Sequence, residues 1–350
     1  MKKIFLILTL IILSQVLFSS NMKAVYVSTW NPGLFTRAEV KQTIEDAKSS
    51  GITDIFIQVR RMDDAYYTSN IVKKATNLKE NFDMLDYAIK CAKPYNIKIH
   101  AWFVICRIGR QDYKKTLSSV QLSWLDKDKN GNLINENNVF IDPSNPVARK
   151  YICEVINEVV KNYNIDGVHL DYIRYPNANY GYCHNSTEQF ILETGSLVPM
   201  GEKFNNWRRE QITKLVYEIR TNINKNSNKK IILSASIVSW GTPTTYSNLS
   251  SYVKTFQDYE KWLKNNYVDY VMPMIYKRES VPQQANDYIK WLNLYSNHKD
   301  KICPTIGGYL NSAQGIKKQI NETEDMGFKN WVIFDFNIGA DRNNIKQILK

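Results

Sequence analysis

The sequence predicts an α/β fold, a single closed (β/α)8 TIM barrel. Short runs rich in β-branched and aromatic residues alternate with longer segments of helical period, and the alternation repeats eight times within 350 residues. An open doubly wound sheet is the competing fold. No GxGxxG motif follows a predicted strand and no GxxxxGK[ST] motif occurs, so nothing of the phosphate-binding kind supports that alternative.

The predicted strands are apolar segments of the composition that favours a pleated sheet, such as DIFIQVR at 54–60. They cover residues 24–30, 54–60, 98–104, 167–173, 231–238, 269–276, 302–309 and 330–336.

A segment of helical period follows each predicted strand. These segments are residues 37–49, 80–94, 146–162, 203–224, 255–266, 284–296, 312–326 and 341–349. Thr36 and Glu39 form the pattern of a capping box at the start of the first helix. Gly51 is suited to a left-handed cap at its end, and Gly327 is placed in the same way before the eighth strand.

Surplus length lies in two places, residues 107–145 after the third strand and residues 174–202 after the fourth. Both are at the carboxyl ends of strands, the face where barrel enzymes build their sites. We therefore expect one domain, residues 22–350, with long loops at its functional end.

The first 20 residues, MKKIFLILTLIILSQVLFSS, have the layout of a secretory signal, with two lysines before an apolar stretch. An uncleaved N-terminal anchor is the alternative. No later stretch is long and apolar enough to span a membrane. The expected location is therefore outside the cytoplasm, secreted or associated with the cell envelope.

The formal net charge is +12, which would draw an exported protein to polyanions such as wall polymers. A lysine-rich composition spread over solvated helix faces explains the charge equally well. No basic cluster alternates with aromatic residues, so a nucleic-acid partner is not expected. The five cysteines include no CxxC pair and no histidine spaced as a zinc partner, so we expect no metal, and no cofactor signature occurs. We also expect the protein to be a monomer.

The segment GVHLDYIRYP, at residues 167–176, carries the clearest chemical signal. Side chains alternate along a strand, so His169 and Asp171 share one face and point into the barrel if the apolar residues pack on helices. A carboxylate there is costly to desolvate unless it is paired or used in chemistry. Arg174 is then its partner or a clamp for substrate, while a structural ion pair is the simpler alternative.

The same alternation gathers further side chains at this end of the barrel. The predicted inward positions on other strands are Gln58, Arg60, His100, Trp102, Met272, Met274, Tyr276, Ile333 and Asp335. Trp30 ends the first strand and Trp240 follows the fifth. Acids, arginines and flat aromatic rings on one rim favour a carbohydrate site, because rings cover the apolar face of a sugar while charged groups bind its hydroxyls.

Glycoside hydrolysis normally needs two carboxyl groups, and Asp171 supplies one of them. The second is open: the candidates at strand ends are Asp64, Asp63, Asp335 and Glu279, of which Asp64 ranks first. A metal-dependent deacetylase is an alternative, but the sequence contains no local HxH or HExxH motif to support it. A serine nucleophile lacks a GxSxG elbow.

Taken together, these segments resemble the bacterial glycosyl-hydrolase-like 10 family of (β/α)8-barrel envelope proteins. The segments that carry the resemblance are QVRRMDDAYY (58–67), IKIHAWF (97–103), WLDKDKNG (124–131), FIDPSNPVARKYI (140–152), DGVHLDYIRYP (166–176), FILETG (190–195), NWRREQITKLV (206–216), FQDYEKWL (256–263), VDYVMPMIY (268–276) and GFKNWVIFDFN (327–337). DGVHLDYIRYP is the specific one. The chain departs from the family pattern in two places. Asp63 stands before the acid of the second strand, where such families usually have glycine. The fifth strand carries no glutamate, although many sugar-hydrolysing barrels supply their proton donor from that position.

The resemblance implies hydrolysis of glycosidic bonds in a polysaccharide, with cell-wall glycan as the leading substrate class. It implies that Asp171 is the principal acidic residue and that Asp64 lines the cleft, so Asp171 and Asp64 are the expected catalytic residues, although Asp63 could take the place of Asp64. The substrate-binding residues expected from the resemblance and the strand ends together are Arg60, Arg174, His100, Trp102, His169, Trp30, Tyr276 and Asp335. The alternative is a non-catalytic barrel that binds wall glycan as a scaffold.

Overall fold

The structure is a computed structural model that describes residues 21–109, 112–135 and 138–349. The predicted signal segment, residues 1–20, lies outside the described residues. Within those described ranges, no helix combines the length and apolar character needed to cross a membrane.

Eight parallel strands close into a barrel in which each strand pairs with its neighbours in chain order and the last pairs with the first. The strands are β1 (Lys23–Val27), β2 (Asp54–Arg60), β3 (Lys98–Val104), β4 (Gly167–Asp171), β5 (Ile232–Val238), β6 (Tyr270–Ile275), β7 (Thr305–Gly307) and β8 (Trp331–Phe334). The predicted (β/α)8 fold is therefore confirmed.

A helix follows every strand on the outside of the barrel. The helices are α1 (Arg37–Ser49), α2 (Met84–Ala92), α3 (Pro146–Asn162), α4 (Gly201–Asn226), α5 (Tyr259–Lys264), α6 (Pro282–Tyr295), α7 (Ala313–Asp325) and α8 (Ala340–Ile348). Short 3-10 turns lie at Lys93–Tyr95, Tyr246–Asn248, Ser296–His298 and Gly308–Leu310. The second helix begins later than predicted because the side chain of Asp83 caps it by accepting a hydrogen bond from the amide of Asp86.

The predicted capping box of α1 forms only in part. Thr36 accepts a hydrogen bond of 3.1 Å from the amide of Glu39. The carboxylate of Glu39 turns to the amides of Gly33 and Phe35 instead of that of Thr36, at 2.8 and 2.9 Å. Gly51, with φ of +66°, takes the left-handed conformation predicted for it.

Side chains fill the inside of the barrel. They form an inner cluster that consists of Met22, Ala24, Tyr26, Phe56, Trp102, Met272, Cys303 and Val332. Tyr26 is central to it, with its ring centroid 5.1 Å from those of Phe56 and Trp102. Because the barrel is packed rather than hollow, a binding site has to lie above this layer, at the carboxyl ends of the strands.

The two long loops build a wall at that end. The loop after β3 contains an antiparallel strand pair, Arg107–Gly109 with Val139–Phe140, and the short helices Tyr113–Thr116 and Ser119–Leu122. The loop after β4 contains the helix His184–Thr194, and the short helix Ser250–Val253 follows β5. The amide of Tyr182 donates to the carbonyl of Lys127 at 3.0 Å, so the two long loops contact each other directly.

Candidate active site

Asp171 is the last residue of β4, and its side chain is only 7% exposed. Its Oδ2 accepts a hydrogen bond of 3.2 Å from the indole N–H of Trp102, and its Oδ1 accepts one of 2.8 Å from the amide of Tyr172. Burial raises the pKa of Asp171, while the charge of Arg174 and these two hydrogen bonds act in the opposite direction. The carboxylate is thus held in one orientation at the mouth of the barrel.

The chain turns sharply after Asp171, because Tyr172 has a left-handed φ of +53°. The turn brings the guanidinium of Arg174 over the ring of Tyr172, 4.5 Å from its centroid, and Arg107 approaches the same ring at 5.6 Å. Arg174 donates to the carbonyls of Tyr175 and Pro176, both at 3.3 Å. Two cationic side chains therefore lie beside the carboxylate, and the sequence pointed only to Arg174.

Aromatic side chains form a rim around Asp171. The ring of Trp30 lies 5.7 Å from that of Trp102, and Phe334 lies 5.7 Å from Tyr276 and 5.9 Å from Tyr309. Trp30 is 38% exposed and Tyr309 is 47% exposed, so both present ring surface to solvent. Trp240, 46% exposed, lies near the guanidinium of Arg174 at 5.7 Å. This aromatic rim can cover the apolar faces of sugar rings.

For β8, the prediction of which side chains face the barrel interior was wrong, since Ile333 was expected to face inward. Val332 and Phe334 pack on the inner cluster, whereas Ile333 packs between strands and helices. Sequence alternation therefore missed Phe334, and it missed Tyr309 because that residue follows β7 in a short 3-10 turn.

Asp335 follows β8 and is buried to 6% exposure near the end of β1. Ser28 donates a hydrogen bond of 3.4 Å to its Oδ2. Burial raises the pKa of Asp335 to about 6, and the charge of Asp341 adds to the effect. A carboxyl group with such a pKa can hold a proton near neutral pH and deliver it in a reaction.

Asp64 and Asp63 line a neighbouring cavity of about 240 Å³ with Lys73 and Lys74. Asp64 forms an ion pair of 2.8 Å with Arg61. Asp63 accepts hydrogen bonds from Gln121 at 3.0 Å and Tyr151 at 3.2 Å. Burial raises the pKa of Asp63, and the charge of Arg60 counters it.

Glu279 does not belong to the rim. Its carboxylate pairs with Lys318 on α7, and its amide donates to Asn311 at 2.7 Å. Its carboxylate is thus engaged by a cation of α7 and not by the residues of the aromatic rim.

Arg60 was predicted to point into the barrel, but in the structure it does not. The pairing of β2 with β3 slips between Gln58 and Arg60, so Arg60 lies opposite Phe103, whose side chain faces the helices. Its guanidinium donates to the carbonyl of Val104. A one-residue slip moves a side chain to the other face of a sheet, which explains the difference.

His100 and His169 face inward as predicted, but both are completely buried, so a substrate at the rim does not touch them. His100 bonds to Asp54 at 2.8 Å in the lower part of the barrel. His169 lies within hydrogen-bond distance of Ser234 at 2.8 Å and Tyr26 at 2.9 Å. Burial lowers the pKa of His169 well below its usual value, so it is a neutral support beneath Asp171.

The described part of the chain also contains a cluster that spacing did not predict. Asp126, Asp142 and Cys183 come from the two long loops, and their ligand atoms lie within 4.8 Å of one another. The cluster lies outside the aromatic rim.

Comparison with known proteins gives consistent results. The family model described as glycosyl hydrolase-like 10 matches residues 17–329. The chain is 25% identical over 289 residues to glycosyl hydrolase YngK of Bacillus subtilis, covering 75% of this chain and 53% of the relative. It is 23% identical over 266 residues to glycosyl hydrolase DigH of Escherichia coli K12, and the match covers 69% of this chain and 59% of the relative. The chain thus spans little more than half the length of these relatives.

Two solved structures share the fold. The glycoside hydrolase domain of PgaB (BpsB) from Bordetella bronchiseptica superposes with a TM-score of 0.74 at 10% identity, covering 93% of this chain and 98% of that one. Alpha-L-fucosidase isoenzyme 2 from Paenibacillus thiaminolyticus superposes with a TM-score of 0.68 at 13% identity, and the superposition covers 94% of this chain and 49% of the fucosidase chain. At these identities the likeness concerns the barrel alone.

Proposed function

The chain belongs to the glycosyl hydrolase-like 10 family, and on that premise we propose that it is an exported enzyme that hydrolyses glycosidic bonds in a bacterial cell-wall or envelope polysaccharide. The observation that carries the proposal is the carboxylate of Asp171, buried at the end of β4 and oriented by Trp102 and the amide of Tyr172 beneath the aromatic rim. A fixed carboxylate next to ring-binding surface is what an oxocarbenium-like transition state requires.

In this proposal Asp171 acts in its ionised form, as the nucleophile, the base or the group that stabilises the developing positive charge. Burial raises the pKa of Asp171, and the charge of Arg174 and the hydrogen bond from Trp102 counter that rise and so favour the ionised form. Arg174 and Arg107 bind substrate hydroxyl or anionic groups, and Trp30 and Tyr276 face its sugar rings, with the buried Trp102 packed edge to face against Trp30.

The proton donor in this proposal is Asp335, because its pKa of about 6 leaves part of the population protonated near neutral pH. Asp64, the first choice from sequence, is the alternative donor. Its ion pair with Arg61 favours a role in holding the turn after β2. The chemistry needs two carboxyl groups and no metal.

Cell-wall glycan as substrate and a location outside the cytoplasm are supported by the secretory layout of residues 1–20 and by the net charge of +12, which attracts polyanionic polymers. The aromatic rim suits a chain of sugar rings better than a single small molecule.

A non-catalytic barrel that binds wall glycan as a scaffold is the second candidate. It is favoured by the ion pairs that engage two of the candidate carboxylates, Asp64 with Arg61 and Glu279 with Lys318. In that case binding depends on Trp30, Trp102 and Tyr276, and no turnover exists.

The deciding experiment measures reducing-end release from bacterial wall glycans, with and without stem peptides, and from amino-sugar homopolymers. It uses residues 22–350 beside an Asp171→Asn variant whose fold is verified by circular dichroism. Release by the parent and none by the variant supports the enzyme. Glycan binding by both without release by either overturns it in favour of the scaffold, and release of free acetate that a chelator stops would indicate a deacetylase.

A further inference from the structure

A second group of reactive side chains lies away from Asp171, where the loop after β3 meets the loop after β4. Asp126 and Asp142 come from the first loop and Cys183 from the second. One ligand atom of each lies within 4.8 Å of the others. We call these three residues the loop-junction cluster.

The two carboxylates of the loop-junction cluster are deeply buried, each only 2% exposed. Asp126 Oδ1 accepts a hydrogen bond of 2.8 Å from the amide of Gly181. Its Oδ2 is buried and finds no hydrogen-bond partner among the described residues. A buried carboxylate oxygen without a partner is costly, so this atom points to a ligand that completes the cluster.

The charges of the cluster lead to the same conclusion. Two neighbouring carboxylates in the protein interior repel each other unless a proton or a cation lies between them. Arg208 is the cation that favours ionisation of Asp126, but its guanidinium donates to the carbonyls of Ala178, at 2.8 Å, and Tyr180. The pair of carboxylates therefore lacks a direct positive partner in the described part of the chain.

The donor set selects the kind of cation. A thiolate with two carboxylates suits a borderline metal such as Zn²⁺, whereas Ca²⁺ and Mg²⁺ prefer oxygen ligands alone. Bonds of about 2.3 Å to sulfur and about 2.0 Å to oxygen place tetrahedral ligand atoms roughly 3.3 to 3.5 Å apart. Cys183 Sγ and Asp126 Oδ1 are 3.9 Å apart and the three ligand atoms lie within 4.8 Å of one another, so binding of the ion draws the three side chains closer together.

Two of the three residues of the loop-junction cluster also line a cavity. A cavity of about 140 Å³ is lined by Asp142 and Cys183, with Lys127, Asn145 and His184 at its sides. This volume exceeds the roughly 10 to 15 Å³ that one water needs on the same measure, so there is room for a water at the fourth position of an ion bound beside the cavity.

We propose that Asp126, Asp142 and Cys183 bind one Zn²⁺ ion that joins the two long loops. Binding replaces the proton of the Cys183 thiol, which is released to solvent. The hydroxyl of Tyr175 lies 3.4 Å from Asp142 Oδ1, and Tyr175 directly follows Arg174 at the rim. The ion therefore stabilises the wall of the cleft beside Asp171 without taking part in the reaction.

The test uses the full chain, freed of metal by a chelator and then dialysed with ZnCl₂. We expect one Zn²⁺ per chain by mass spectrometry of the metal content, and a Tm several degrees higher than that of the metal-free protein. Co²⁺ in place of Zn²⁺ should produce a near-ultraviolet charge-transfer band from the Cys183 thiolate. No stoichiometric metal, or metal without that band, would overturn the proposal.

Two variants locate the site. Cys183→Ser should weaken Zn²⁺ binding at least about 100-fold and remove the Co²⁺ band. Cys91→Ser is the matched control, since Cys91 is equally part-buried but lies on α2, and it should change neither. Asp126→Asn should raise the Tm of the metal-free protein, because it ends the repulsion of the carboxylates, while abolishing the gain from Zn²⁺. Equal Zn²⁺ binding by Cys183→Ser and the parent would show that the ion lies elsewhere.

Discussion

The indole N–H of Trp102 and the carboxylate of Asp171 are joined by a hydrogen bond of 3.2 Å that links β3 to β4 at the mouth of the barrel. The same indole ring meets Trp30 edge to face, with centroids 5.7 Å apart. Trp102 therefore connects the acidic group of the site to the surface on which a sugar would lie. Loss of the indole N–H should therefore change the ionisation of Asp171, and loss of the Trp30 ring should change glycan binding.

Replacing Asp171 by asparagine should abolish turnover and leave glycan binding largely intact. The variant keeps the size of the side chain and an oxygen that can accept the amide of Tyr172, but it removes the negative charge that the proposed transition state needs. We expect kcat to fall by at least about a thousandfold. Reducing-end release gives the rate and isothermal titration gives the affinity. Turnover within a few-fold of the parent would remove Asp171 from the mechanism.

Trp102→Phe should keep the aromatic ring and lose only the N–H. Because this hydrogen bond lowers the pKa of Asp171, its loss should raise that pKa and move the acidic limb of the pH–rate profile to higher pH. We expect kcat to fall about tenfold on that limb and less near neutral pH.

Trp262→Phe is the control for Trp102→Phe, since it removes a buried indole hydrogen bond of 3.0 Å to Thr213 among the outer helices. Its pH profile should match that of the parent. A profile that shifts equally in both variants would mean that the effect comes from general loosening of the barrel.

Trp30→Ala should weaken glycan binding with little loss of stability, because the ring is 38% exposed on the rim. Loss of a stacking surface of this kind costs about 1 to 1.5 kcal/mol, or roughly a tenfold rise in KM. Tyr217→Ala on the outer helix α4 removes a similarly exposed ring, 48% exposed, and should leave KM unchanged. An unchanged KM in Trp30→Ala would place the glycan elsewhere.

The strand pattern predicted most of the fold because each strand and helix carries its own local signal. Two-residue alternation also gave the correct face for Trp102, His169 and Asp171. Alternation could not predict how deep in the barrel a side chain lies. His169 was therefore expected at the rim, although it is wholly buried beneath Asp171. Alternation reports which side of a sheet a residue occupies and not how far along the barrel axis it sits.

The remaining errors have equally specific causes. β8 reads Trp-Val-Ile-Phe, apolar on both faces, so no pattern distinguishes the inward pair from the outward pair. Arg60 follows a register slip that a single sequence does not reveal. Asp126 and Cys183 are 57 residues apart, a separation that matches no metal-binding motif, so only the contact between the long loops brings them together.

Asp335→Asn should lower activity and raise stability, and the two effects should depend on pH in different ways. The folded pKa of about 6 lies above the value of an unfolded aspartate, near 4. As pH rises between these values the unfolded chain loses its proton first and the folded protein keeps it, so stability falls with increasing pH and levels off above about 6. The variant avoids this loss and should gain up to about 3 kcal/mol in the free energy of unfolding at pH 7 and almost nothing at pH 4.

The activity of Asp335→Asn separates proton donation from packing. If Asp335 is the donor, the variant should lose at least about a hundredfold in kcat on natural glycan, and far less on an aryl glycoside whose leaving group needs no proton. The basic limb of the parent's pH–rate profile, which reports the donor, should also disappear. Asp64→Asn serves as the comparison, since it tests the other candidate carboxylate. If only Asp64→Asn shows selective loss on natural glycan, the donor is Asp64, and the raised pKa of Asp335 reflects only its burial and the nearby charge of Asp341.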